Sequence, residues 1–212
     1  MKKLFIFDLD GTLVDSYQAI QKSLNFTLKK LGYKEVSYAK VKRAVGWGDE
    51  LFIKSFFKEQ DTKRALKLYR KHHKNSLLRY VRLKPFAKKL LYLLKKKKKI
   101  IALASNRPTL FTKAILKKLN IAKYIDFVLC ADSVKKIKPH PQIIFKIIKK
   151  FKLPKKDAVV IGDMDIDLEA AKRAGIDSIF IKGGSTSLNT IRKKFGDVKV
   201  ISTLEEVLKL YG

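Results

Sequence analysis

The chain has 212 residues, 46% of them hydrophobic and 10% aromatic, which is enough to bury a sizeable core and excludes a disordered chain. Its single cysteine, Cys130, rules out an intrachain disulfide and fits a reducing compartment. Lysine and arginine number 49 against 19 aspartates and glutamates, for a net charge of +30; the lysines are spread over helical faces with no basic and aromatic alternation, so a solvated surface is the expectation and a nucleic-acid partner the alternative.

Residues 3–8 are apolar up to Asp8 and read as a buried strand. The opening Met1-Lys2-Lys3 followed by apolar residues has the beginnings of a secretory signal, but Asp8 and Asp10 interrupt it and no small-residue cleavage site follows. After Ser16 the period changes. Ile20, Leu24, Leu28 and Leu31 recur at helical spacing, with Ser16 placed to cap the run and Gly32 to stop it. Further helices are expected over 37–45, 51–57 and 61–80, so a helical block fills 16–80 behind a single strand. From Pro85 onward strands and helices alternate. Pro85 suits the first turn of a helix holding Phe86, Leu90 and Leu94, and a strand over 100–104 follows. Then come a helix opened by Pro108, a strand over 127–130, and a helix opened by Pro141 with Phe145 and Ile148. A strand over 159–161, a helix ending at Gly175, a strand over 178–181 and an edge strand over 198–201 complete the alternation. Ser202-Thr203-Leu204-Glu205-Glu206 reads as the capping box of a last helix. This order predicts a parallel sheet covered by helices on both faces. The helical block is then a lid inserted into that core, with hinges near 14–17 and 80–84. No apolar stretch reaches the roughly 20 residues that cross a bilayer, so a cytoplasmic protein away from membranes is expected.

In open parallel sheets ligands sit beyond the carboxyl ends of the strands. Polar residues gather there: Asp8 and Asp10; Ser105 and Asn106; Lys138, within Lys138-Pro139-His140-Pro141; and Asp163, Asp165 and Asp167. Two carboxylates two residues apart at the tip of a buried strand need a positive partner. Several carboxylates with a hydroxyl, an amide and one lysine suit a hard divalent cation and a phosphate group. A zinc site of cysteines and histidines, a Walker loop and a Gly-x-Ser-x-Gly elbow are all absent. Other polar residues have structural readings. Asp15 starts the following helix, Asp165 faces a helix dipole, and His140 belongs to a turn. His72 and His73 face solvent or the helical block's interior, and Trp47 in Gly46-Trp47-Gly48 is a core aromatic.

Four motifs stand in order: Asp8-Leu9-Asp10-Gly11-Thr12, Ser105-Asn106, Lys138-Pro139, and Gly162-Asp163 with Asp167 four residues on. With them nearly the whole chain resembles a haloacid dehalogenase superfamily phosphatase. Residues 7–16 with Lys138-Pro139-His140-Pro141 are most similar to the phosphoglycolate phosphatase group. The resemblance implies an α/β fold: a Rossmannoid parallel-sheet core, residues 1–15 and 81–212, with an inserted α-helical cap of the first type over 16–80. It also implies a Mg²⁺-dependent phosphatase for a small phosphorylated metabolite. Asp8 would be the nucleophile that forms an aspartyl phosphate. Asp10 would serve as general acid and then base, its pKa raised by neighbouring carboxylates. Asp8, the backbone carbonyl of Asp10 and Asp163 would hold Mg²⁺, with Asp167 supporting them. Thr12, Ser105, Asn106 and Lys138 would bind the phosphoryl group, and Gly11 would let the chain turn beside it. Lys138 would also keep Asp8 ionised. Family dehalogenases lack the second aspartate because a halide leaves without a proton, so Asp10 favours phosphoryl transfer. The alternatives are an inorganic pyrophosphatase, a β-phosphoglucomutase-like phosphotransferase, and a basic nucleic-acid-binding protein on a phosphatase scaffold. Against the mutase stands the missing arginine in Gly46-Trp47-Gly48-Asp49.

Overall fold

The computed structural model describes residues 2–211; residues 1 and 212 lie outside it. Its organising element is β1 (Leu4–Phe7), whose four side chains are all buried. Successive side chains of a strand point to opposite faces. Phe5 and Phe7 accordingly join one apolar cluster while Leu4 and Ile6 join another. A strand apolar on both faces belongs in the middle of a covered sheet.

After β1 the chain makes a short strand β2 (Val14–Asp15) and four helices: α1 (Tyr17–Lys30), α2 (Tyr38–Ala44), α3 (Asp49–Lys54) and α4 (Glu59–Tyr80). It returns through β3 (Arg82–Leu83). The remainder alternates through α5 (Ala87–Lys96), β4 (Ile100–Ser105), α6 (Thr109–Lys118), β5 (Phe127–Cys130), α7 (Gln142–Phe151), β6 (Ala158–Gly162), α8 (Asp165–Ala174), β7 (Asp177–Ile181), α9 (Leu188–Phe195), β8 (Lys199–Ile201) and α10 (Glu206–Tyr211). The main sheet has the order β5-β4-β1-β6-β7-β8, and every pairing in it is parallel. Connections step outward from β1 through β4 to β5, then restart on its other side at β6. That reversal is a topological switch point, and the loops after β1 and β6 diverge there to leave a crevice. The helices of residues 17–80 hold their own apolar cluster, including Tyr17, Ile20, Leu24, Phe52, Ile53 and Tyr69. Among the described residues no helix is long and apolar enough to cross a membrane.

The parallel α/β architecture with inserted helices agrees with the sequence pattern, and several local details differ from it. β2 and β3 pair antiparallel, Val14 opposite Leu83 and Asp15 opposite Arg82, so the two expected hinges lie side by side as one ribbon. Two-residue strands carry too little periodicity to be read from sequence. The helix expected from Pro85 begins at Ala87, because Phe86 takes a left-handed conformation (φ 65°) that breaks the helical path. In α7 it is Ile143, Ile144 and Ile147 that are buried, while Phe145 is 42% exposed. α9 is also additional; Ser187 caps it by accepting from the Thr190 N–H at 3.1 Å. Ser16 precedes α1 but makes no side-chain cap bond, because its hydroxyl bonds to Asp10 instead. Asp15 does that local work, accepting from the Tyr17 N–H at 3.2 Å.

Candidate active site

The crevice beyond the switch point receives the ends of β1, β4 and β6 and the loop that carries Lys138. Asp8 follows β1, and its backbone N–H bonds to the Ile161 carbonyl of β6 at 2.9 Å, which fixes its position between two strand ends. Asp163 follows β6. Asp167 lies in the first turn of α8, where its Oδ2 accepts from the Met164 N–H at 3.1 Å. One oxygen from each of Asp8, Asp163 and Asp167 falls within 4.8 Å of the others. Lys138 crosses this group: its Nζ donates to Asp8 Oδ1 at 2.7 Å, to Asp167 Oδ1 at 2.7 Å and to the Ala104 carbonyl at 2.6 Å.

Asp163 is the most heavily supported of the three. Thr12 Oγ1 donates to its Oδ1 at 2.9 Å, and Tyr17 OH and the Ser185 N–H donate to its Oδ2 at 3.2 and 2.9 Å. Two glycines make room for it. A Cβ at Gly11 (φ +88°) or at Gly184 would run into its carboxylate.

The electrostatics follow from burial. Burial raises the pKa of Asp8 well above the usual carboxylate range; the charges of Asp167, Asp163 and Asp10 add to the rise, and Lys138 opposes it. Burial, with help from Asp167, pushes Asp163 up to about 7. For Lys138 burial works against the ammonium, but Asp167 and Asp8 outweigh it and keep its pKa above that of an ordinary lysine. Three buried carboxylates set against one ammonium leave two negative charges in a poorly solvated place. A divalent cation neutralises that pair, and carboxylate oxygens are the ligands a hard cation takes. The residues present therefore fit such an ion.

Three candidate phosphate ligands have other commitments. The Thr12 hydroxyl is buried against Asp163. The Asn106 amide is also occupied: its Nδ2 donates to the Gly46 and Lys138 carbonyls, both at 2.9 Å, and its Oδ1 accepts from the Lys138 N–H at 3.0 Å. Asn106 thus ties the β4 end to the loop after α2 and to the backbone of Lys138. Lys138 uses all three of its N–H groups on Asp8, Asp167 and Ala104. Ser105 remains open: its oxygen accepts from the Arg107 N–H at 3.2 Å, leaving the hydroxyl proton to donate.

The surroundings of Asp10 also differ from expectation. A guanidinium, not a carboxylate, touches it. Arg107 Nε donates to Oδ2 at 2.8 Å and Nη2 to Oδ1 at 2.9 Å, while Ser16 Oγ, 3.5 Å from Nη2, also donates to Oδ1. Arg107 Nη1 reaches His73 Nε2 at 2.8 Å. His73 is held neutral, because burial and the Arg107 charge drive its pKa far below the usual histidine value. It stacks on Tyr69 with ring centroids 4.8 Å apart. Arg107 is absent from the sequence expectations and His73 enters them only as a residue facing solvent or the interior of the helical block, although a signal existed for each. Arg107 directly follows Ser105-Asn106 at a strand tip. His73 shares a helical stripe with Ala65, Tyr69 and Leu77, all buried, at a spacing of four. Ser185 and Gly184 carried no such signal, since only the fold brings the loop after β7 to Asp163.

The remaining candidates take structural places. Asp165 opens α8 and pairs with Lys194 at 3.0 Å. His140 accepts from the Gln142 N–H within a turn. His72 stacks on Phe26 at 4.1 Å. Trp47 is no core aromatic; it is 42% exposed, because the loop between Gly46 and Gly48 turns it outward.

A site of this composition at the switch point of such a sheet defines a class, and comparison with known proteins agrees. The haloacid dehalogenase-like hydrolase family model matches residues 5–181, and the chain belongs to that family. Within it the similarity is to phosphoglycolate phosphatases. One from Aquifex aeolicus is 31% identical over 188 residues, 89% of this chain and 88% of the relative. One from Colwellia psychrerythraea is 30% identical, covering 98% of this chain and 96% of its own. A crystal structure described as a predicted phosphoglycolate phosphatase from Haemophilus somnus superposes with a TM-score of 0.92 at 27% identity, covering 100% of this chain and 98% of that one. The protein is accordingly a hydrolase of the phosphatase type.

Proposed function

We propose that the protein is a Mg²⁺-dependent phosphatase that hydrolyses a small, phosphoglycolate-like phosphomonoester through an aspartyl phosphate on Asp8. The observation that carries this reading is the buried cluster of Asp8, Asp163 and Asp167, with Lys138 bonded to Asp8 and Asp167 and Asp10 two residues beyond Asp8 at the same strand tip. In this reading residues 1–15 and 81–212 form the core and residues 16–80 the cap that closes over it. Asp8, the backbone carbonyl of Asp10 and Asp163 hold the cation, and Asp167 keeps its supporting place through Lys138 and Met164. The bound cation supplies charge neutralisation of the phosphoryl oxygens and of the carboxylates around them.

The protein's own residues divide the chemistry. An Asp8 carboxylate oxygen attacks phosphorus while the bond to the leaving oxygen breaks. Asp10 delivers a proton to that leaving oxygen as the alcohol departs. A water molecule then attacks the phosphorus of the acyl phosphate, Asp10 takes its proton, and Asp8 is released with inorganic phosphate. Lys138 holds the Asp8 carboxylate in line and offsets the charge crowded around it. Ser105 donates to a phosphoryl oxygen. Thr12 and Asn106, expected from their motifs to bind phosphate, act here on Asp163 and on the Lys138 loop. Small phosphorylated substrates and a single cysteine, Cys130, support a cytoplasmic location for such an enzyme.

Asp8→Asn keeps the side chain's shape and removes the nucleophile. Phosphate release from 2-phosphoglycolate with Mg²⁺ should fall by roughly three orders of magnitude or more, while the circular dichroism spectrum is unchanged. Turnover retained in a folded Asp8→Asn protein would remove the mechanism. A curated relative from Caldanaerobacter subterraneus subsp. tengcongensis, 29% identical over 97% of this chain, bears the provisional name of a pyrophosphatase. Pyrophosphate therefore belongs in the same assay.

A further inference from the structure

Resting on the phosphatase reading above, we infer that Arg107 determines specificity by binding a carboxylate on the substrate, exchanging Asp10 for it when the substrate enters. Two cations line the pocket under the helices, Lys138 and Arg107. All three N–H groups of Lys138 are taken. Arg107 is held by a single carboxylate, Asp10, and keeps one N–H unengaged among the described residues, so it is the cation that can exchange its partner for a second anionic group.

Its geometry names that group. The Nε and Nη2 edge already grips a carboxylate in the two-point manner that suits planar carboxylates. The side chain is only 8% exposed, so this pairing is made away from water. Nη1 is anchored to a neutral acceptor, His73 Nε2, which aims the fork without competing for its charge. His73 is in turn steadied by Ser23 Oγ at 3.1 Å on α1. Arginine has five N–H donors. Asp10, Ser16 and His73 engage four of them among the described residues, leaving one on Nη1.

The position is also right. Asp10 must come within hydrogen-bond reach of the leaving oxygen to deliver a proton there. Arg107 grips both Asp10 oxygens, so its guanidinium lies one carboxylate away from the group that must reach the leaving oxygen, and a carboxylate on the leaving group can take the fork in the place of Asp10. Much of the pocket wall is apolar, with Ile20, Phe52, Phe111 and Ile166, and the Asp49 carboxylate that also lines it is already held by Arg70 at 2.7 and 3.0 Å. Few free polar groups remain there for the hydroxyls of a sugar or the edge of a base. When the substrate carboxylate takes the fork, both Asp10 oxygens are freed to face the reacting bond. Recognition and the readiness of Asp10 are thereby one event.

Steady-state phosphate release by the full chain with Mg²⁺ tests this on 2-phosphoglycolate, on ethyl phosphate, which replaces the carboxylate by methyl, and on pyrophosphate. The wild type should prefer 2-phosphoglycolate over ethyl phosphate by about 10- to 150-fold in kcat/KM. Arg107→Gln should erase most of that preference through a higher KM for 2-phosphoglycolate, with a much smaller change for ethyl phosphate. Arg107→Lys, which keeps the charge and loses the fork, should fall between. If the wild type shows no preference, if pyrophosphate is its best substrate, or if Arg107→Gln weakens both monoesters equally, the inference is overturned; the wild-type and Arg107→Lys arms decide it even if Arg107→Gln does not fold. Failure of the wild type on all three substrates would instead overturn the phosphatase reading.

Discussion

Lys138 shows how one residue can make an acidic cluster tolerable. Among the described residues its ammonium is the only side-chain cation paired with Asp8 and Asp167, and Lys138, those two carboxylates and the Ala104 carbonyl it also bonds are all buried where water is scarce. Removing one partner from a buried ion pair costs about 3–5 kcal/mol, because the other charge stays behind without compensation. Lys138→Met should therefore lower the unfolding free energy by that amount in EDTA at pH 8, measured by urea denaturation. A loss below about 1 kcal/mol would mean that the carboxylates relieve themselves in some other way. The three-way contact of Lys138 could not be read from Lys138-Pro139 alone. A motif names the residue, but its partners come from β1 and α8, far away in the chain.

At the scale of elements, the loop joining α2 to α3 is the piece that links the inserted helices to the sheet. Gly46 adopts φ +121°, a conformation that L side chains rarely take, and its carbonyl accepts from Asn106 at the end of β4. A Cβ there would also press on the Met164 side chain just before α8. Gly46→Ala should destabilise the protein by roughly 1–3 kcal/mol and lower kcat/KM, since Asn106 also holds the Lys138 backbone. A variant with full activity and a lowered melting temperature would detach this loop from the site. The long helix α4 makes a second link. Tyr69 and His73, four residues apart, place adjacent rings over the pocket. The glycines and the helix were legible as elements; which of their faces meets the sheet was not, because that depends on a packing angle and not on a period.

For the whole molecule, pH and metal should act together on stability. Asp163 has a folded pKa pushed up to about 7 from an ordinary value near 3.8. Between those values the native state holds a proton that the unfolded chain has lost, so the stability this group contributes declines as pH rises from about 4 to about 7. A divalent cation binds the ionised form and offsets the loss. Mg²⁺ should thus raise the melting temperature more at pH 8 than at pH 5.5, by roughly 2–4 °C for each kcal/mol of binding linkage. An equal rise at both pH values would argue against Asp163 as a ligand.

The linear sequence by itself determined the alternation of strands and helices, the insertion of a helical block after the first strand, and the residues Asp8, Asp10, Lys138 and Asp163 as a group. These are carried by local periodicity and by short motifs, in which the information lies within a few residues. Only the tertiary structure decided the partners. It gave Asp10 to Arg107 and Arg107 to His73, turned Thr12 toward Asp163, committed Asn106 to backbone carbonyls, and brought Gly184 and Ser185 to a carboxylate on another strand. Hydrogen bonds and charges are satisfied by whatever lies within about 3 Å, and in a parallel sheet those neighbours arrive from crossovers many residues apart.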